Sequence, residues 1–172
     1  MRSTNLLIIL VISLFIIIFA GCGGCPYSFN GSSVPPHLHT IAIPYSDDKS
    51  GVGEPGLRET FTQKLTQKFI DDNSLKLSER NTADALLEST ITSISDAPSI
   101  ITSGETVSGR RVTISINVIY RDIVKKKIVY EKQFSNTGDY SSSSGKSGRD
   151  LAIVTALEKI IEDILLDTIS GW

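Results

Sequence analysis

Two segments with an apolar residue every three to four positions, and several with an apolar residue at every second position, predict an α+β fold. The strands outnumber the helices and come mostly in succession, so the sheet should be mixed and mostly antiparallel. Each helix has one apolar stripe and each long strand one apolar row. Burying them against each other gives a two-layer sandwich with both helices on one face of the sheet, in the order β-α-β-β-β-β-α.

The first strand is "LHTIAIPY", where Ile41 and Ile43 fall on one side and Pro44 ends or edges the strand. A loop, "SDDKSGVGEPG", leads into a helix in which Leu57, Phe61, Leu65 and Phe69 recur every four residues. Pro55 suits its first turn, Asn73 suits a left-handed stop, and Lys64, Lys68, Asp71 and Asp72 decorate its other flank. "LKL" at 75–77 reads as a short strand. The first strand, helix and this strand should form a right-handed parallel crossover.

From there the period is 2. "ADALLESTITSI" places Leu87, Ser89 and Ile91 opposite Glu88, Thr90 and Thr92. "RVTISINVIY" alternates Val112, Ile114, Ile116, Val118 and Tyr120 with Thr113, Ser115, Asn117 and Ile119. "KIVYEKQF" continues with Ile128, Tyr130 and Phe134, and the short "RDIVKKK" between them suits a hairpin. A polar, flexible "NTGDYSSSSGKSG" is expected next. The last element is a helix with Leu151, Val154, Leu157, Ile161, Ile164, Leu165 and Ile169 as its stripe. The second sheet face is then Thr, Ser, Asn, Glu and Gln, either solvated or lining a wet interface with a large partner.

Ahead of the domain, residues 6–20, "LLIILVISLFIIIFA", form an apolar run preceded by a single charge, Arg2. As a helix it would rise about 22 Å, short of a bilayer core, and it describes an export signal, with a retained membrane anchor as the alternative. Phe19-Ala20-Gly21-Cys22 resembles the bacterial lipobox, with Phe19 in place of the usual Leu. The expected organisation is a lipoprotein signal peptide at 1–21, a flexible tether at 22–37 behind a lipidated Cys22, and a single α+β domain at 38–172. Cys25 is a free thiol or an alternative anchor. Cleavage leaves 151 residues, enough for one domain with a core, and losing Arg2 takes the formal charge from −2 to −3. That balance excludes general nucleic-acid binding.

Three motifs look like chemistry. "GVGEPG", Gly51 to Gly56, matches a dinucleotide-loop pattern, but six residues separate it from the strand and Pro55 removes an amide where a phosphate would need one. Gly145-Lys146-Ser147 matches the end of a phosphate loop, yet Tyr140 stands where the first glycine belongs. A Ser-rich lead-in to the last helix is the better account. His37 and His39 flank Leu38 without a nucleophile or orienting acid at diagnostic spacing, so both are expected at the surface. No catalytic residue, metal or cofactor is expected, and the chain is not expected to be an enzyme.

"YSFNGSSVPPHLHTIAIP", "EPGLRETFTQKLTQKF", "ADALLESTITS", "SGETVSGRRVTISINVIYRD" and the ending "EDILLDTISGW" together resemble the LptE family of LPS-assembly lipoproteins, in its Bacteroidetes/Chlorobi-like form. The resemblance implies an outer-membrane lipoprotein on the periplasmic face, held by acyl chains such as palmitate. It also implies that the protein assembles with and plugs the LPS-transporting β-barrel LptD and binds lipopolysaccharide. The additional Cys25 departs from the family pattern, and Gly23 after Cys22 lacks the aspartate of inner-membrane retention. Lys125, Lys126 and Lys127, the densest cationic run, are candidate contacts for lipid A phosphates, with Arg110 and Arg111 as a second basic pair. The alternative is a periplasmic lipoprotein of similar build that activates a cell-wall synthase.

Overall fold

The computed structural model describes residues 34–102 and 106–170, the side chains at 100–102, 106 and 107 excepted. Cys22, Cys25, the proposed signal peptide, the tether up to residue 33 and Trp172 lie outside the described residues. The elements are β1 (Thr40–Ala42), β2 (Asp47–Asp48), α1 (Leu57–Asp72), β3 (Lys76–Leu77), β4 (Ala85–Thr102), β5 (Thr106–Asp122), β6 (Lys127–Ser141), a 3-10 turn (Ser142–Ser144) and α2 (Gly145–Ser170). The sheet runs β3-β1-β4-β5-β6, with the short β2 also pairing β4. β1 is parallel to β3 and β4, whereas β4-β5-β6 is an antiparallel meander. The predicted α+β architecture is present, with the two-residue β2 added inside the expected loop.

α1 forms as its spacing predicts. Leu57, Phe61, Leu65 and Phe69 are all buried, each contributing about 1.5–3 kcal/mol relative to exposure. Asn73 is left-handed (φ 57°) and its N–H donates to the Phe69 carbonyl. Pro55 lies in the turn before the helix, whose start is Gly56 at φ 73°. On its outer side Lys64 and Lys68 pair with Glu158 and Glu162 of α2, so the two helices run parallel. These pairs are exposed and orient more than they stabilise.

β5 is the central long strand. Val112, Ile114, Ile116, Val118 and Tyr120 are completely buried under the helices, in one core with the α1 stripe. Burial pushes the Tyr120 phenol well above its ordinary pKa. Tyr130 of β6 stacks beside it at 5.6 Å and bonds the Thr168 hydroxyl at 2.9 Å; burial pushes its pKa up to about 12.

Three expectations need correction. β6 does not stop at Phe134, because the segment expected to be flexible pairs with β5 through Ser141 opposite Gly109. Gly138 explains why it looks like a loop. A Cβ built there would lie 2.0 Å from the Ala152 carbonyl oxygen, so α2 approaches the strand backbone directly. The α2 stripe is also rotated from the predicted one. Leu151 is 67 % exposed and Val154 half-buried, while Ala152, Ile153, Ala156 and Ile160 join Leu157, Ile161, Ile164, Leu165 and Ile169 inside. Small Ala152 and Ala156 let the helix come close. Finally, a bulge between Tyr120 and Arg121 pairs Tyr120 with Tyr130 but Arg121 with Ile128. The extra residue, Val129, flips the parity, and Ile128 emerges on the side opposite Tyr130.

Gly138→Ala should therefore destabilise the fold by about 1–3 kcal/mol and lower the melting temperature by roughly 3–10 °C. The obstruction is helix backbone, so trimming Ala152 to Gly does not relieve it. Thermal melts followed by circular dichroism test this; an unchanged midpoint would show that β6 and α2 are looser than described.

Candidate functional interface

The hairpin joining β5 to β6 is built around Asp122. Its carboxylate accepts from the Lys125 amide at 2.8 Å and bonds the His37 ring at 2.7 Å, closing the turn and tying it to the start of the domain. The Ile123 amide donates to the Asp84 carbonyl at 2.8 Å, and Lys126 takes a left-handed φ of 53°. Burial works against the charge on Asp122, but the Lys125 amide and His37 hold its pKa below the ordinary carboxylate value. Asp84 is held low by the His39 amide first, then by the Thr40 hydroxyl and amide. His37 is thus half-buried against an acid 85 residues away, not the plain surface histidine expected; His39 is exposed.

This turn places Lys125, Lys126 and Lys127 together, all exposed and, among the described residues, in no ion pair. They share the tip with Ile123, Val124 and Ile128, which are 41, 55 and 45 % exposed. A cleft of about 290 Å³ runs between Arg121, Asp122, Ile123, Lys126, Lys127 and Ile128.

Arg110 and Arg111 do not join that cluster. Residues 110 to 122 of extended β5 put them about 40 Å away. Adjacent strand residues also face opposite ways. Arg110 lies on the helix side, its Nε 2.9 Å from Asp96 and 3.0 Å from the Tyr140 hydroxyl. Arg149, at the start of α2, bonds Asp96 at 3.2 Å and holds both oxygens of Glu54 at 2.9 and 2.7 Å. The Gly51–Gly56 loop is therefore clamped by an arginine. Glu54 is held low by its hydrogen bonds to Arg149; at Asp96 burial opposes the charge, but Tyr140 and Arg110 outweigh it. Arg111, on the other face, forks onto Asp139 at 2.7 and 3.0 Å.

That other face is polar along most of its length. Its cross-strand rows run Ser95–Thr113–Thr137, Ser93–Ser115–Ser135 and Thr90–Asn117–Gln133. Ser115 is only 7 % exposed, because it is small, sits between two strands and donates to the Ser135 hydroxyl at 3.1 Å. Among the described residues both helices pack on the opposite face.

A family model for LptE, lipopolysaccharide assembly, matches residues 38–168. The chain belongs to the LptE family. No curated protein matches this LptE chain in sequence. Among solved structures, protein XCC0632 from Xanthomonas campestris is similar with a TM-score of 0.61 at 12% identity, over 81% of this chain and 89% of that one. Protein CT253 from Chlamydia trachomatis gives 0.53 at 12% identity, over 74% and 95%. A minor lipoprotein from Acinetobacter baumannii gives 0.51 at 11% identity, over 80% and 94%. At such identities these likenesses show the fold. Sequence reasoning located the lysine tip and the polar face but missed the apolar side chains beside the lysines and the Asp96–Arg149 network. "IVKKKI" contains the first signal; the second joins positions too far apart in sequence to be seen.

Asp84, Asp96, Asp122 and Glu54 all have folded pKa values below their unfolded ones. Their contribution is present above about pH 4 and is lost as pH falls through the folded values. Asp122→Asn should cost about 1–3 kcal/mol at pH 7, and the gap from wild type should narrow toward pH 3. Denaturant unfolding at both pH values measures it; a gap of equal size at each would mean the carboxylate charge plays no part.

Proposed function

We propose that this LptE-family protein is an outer-membrane lipoprotein, anchored at the periplasmic face through Cys22, that assembles with and plugs the LPS-transport β-barrel LptD. In this reading it binds lipopolysaccharide during delivery to the cell surface, and its role is binding rather than catalysis. Family membership over residues 38–168 supports the assembly role. The observation that carries the plug is the hydroxyl-rich face of β4-β5-β6, which presents regular rows of Ser, Thr, Asn and Gln while the helices fill the other side. Such a face suits a large wet interface, where hydrogen bonds and trapped water replace an apolar contact.

Lys125, Lys126 and Lys127 are the proposed contacts for the phosphates of lipopolysaccharide, since exposed ammonium groups that form no ion pair among the described residues are available to an anion. Arg110 and Arg111 enter such a contact only by giving up Asp96 and Asp139.

Thr113→Asp with Ser135→Asp places two like charges on the polar face, and the domain should keep its native circular dichroism. Affinity purification from detergent-solubilised outer membranes should recover a β-barrel partner with the wild type and lose it with this variant. Recovery of the same barrel with both chains would move the interface off this face.

A further inference from the structure

The β5–β6 tip has a composition that phosphate binding alone does not require. Three lysines would suffice for an anion, yet Ile123, Val124 and Ile128 stand beside them, each more than two-fifths exposed. Apolar side chains held at a turn next to ammonium groups match the boundary of a lipid layer, where acyl chains meet charged headgroups. Position adds a second, independent observation. His37, at the entry to the domain, is bonded to Asp122 in the same turn, and Leu38 is buried directly after it. The 14 residues between Cys22 and His37 therefore end at the foot of the tip. A chain anchored at Cys22 would leave the membrane and enter the domain beside this cationic, partly apolar turn.

We infer that this tip is a second membrane contact, seating on an anionic phospholipid surface beside the anchor: Val124, Ile123 and Ile128 enter the interfacial layer while Lys125, Lys126 and Lys127 neutralise headgroup phosphates. This rests on the Cys22-anchored reading. The acyl chains on Cys22 retain the protein at the bilayer, and the tip as a second contact fixes how the domain sits on it. Each lysine near an anionic surface adds about 1 kcal/mol, so three favour docking on anionic over neutral lipid by on the order of 100-fold. Asp122 matters here because it presets the turn: its carboxylate bonds the His37 ring and the Lys125 amide, and none of the three lysines forms an ion pair among the described residues.

The test uses the full-length protein isolated from membranes and reconstituted into vesicles, with Trp172→Phe as background since the chain has one tryptophan. Val124→Trp reports the tip, and Val52→Trp reports the loop clamped by Arg149, where Val52 is 57 % exposed. In phosphatidylglycerol-containing vesicles with brominated acyl chains, the Val124→Trp indole should be blue-shifted and quenched and the Val52→Trp indole should not. Lys125→Ala, Lys126→Ala and Lys127→Ala together should abolish that quenching without moving the thermal midpoint, and high salt should reduce it where the three lysines are kept. Flotation with vesicles but no quenching at Val124→Trp overturns this inference alone and leaves the anchor standing. Equal quenching at both positions overturns it as well, by showing unspecific adsorption. A blue shift only when lipopolysaccharide micelles are added leaves the tip with the lipopolysaccharide contact alone and overturns the phospholipid contact. Failure to float with either neutral or anionic vesicles overturns anchor and tip together.

Discussion

Strand β5 is paired on both sides from Gly109 to Asp122, and its alternate side chains belong to two environments. Val112, Ile114, Ile116, Val118 and Tyr120 lie under the helices without solvent exposure, while Thr113, Asn117 and Arg121 point the other way. A one-residue slip would exchange the two sets, bringing hydroxyls and a guanidinium into the core and isoleucines into water. That cost fixes the register of β4 and β6, and through them the placement of α2, whose backbone rests on Gly138. The polar face exists because this alternation is kept over a long strand with helices on one side only.

The two ends of the sheet are closed by charge rather than by apolar packing. At one end Glu54, Asp96, Arg110, Tyr140 and Arg149 balance two acids against two guanidiniums. At the other, the Asp122 and Asp84 carboxylates bond amides, a hydroxyl and a histidine, and the nearby lysines form no ion pair among the described residues. Partly buried groups with several partners keep more of their attraction than exposed pairs do. The far end thus behaves as a closed clamp, whereas the tip is anchored underneath and cationic outside. This asymmetry is the physical basis for proposing ligand contact at the lysines and not at Arg110.

Much of the fold could be read from the sequence because most of its elements follow a single period. The four α1 positions and the five β5 positions were each placed on the correct face, and Asn73 stops its helix as its residue type allows. Errors arose where one period gives way to a local demand. Gly138 sits in a strand because a helix needs the room, so its neighbourhood reads as a loop. Ala152 and Ala156 are buried for the same reason, although Leu151 is the more apolar residue and lies outside. One bulge residue was enough to turn Ile128 from core to surface. The His37–Asp122 bond and the Arg149 clamp could not be foreseen, since pairings across 85 and 95 residues leave no local signature.

The central claim is that the sheet face opposite the helices is the working surface. Site-specific photo-crosslinking in cells tests it most directly, with the reactive side chain at Thr113 on that face or at Lys64 on the outer side of α1. The account predicts an adduct with an outer-membrane β-barrel from Thr113 and none from Lys64. The same adduct from Lys64, with none from Thr113, would contradict it.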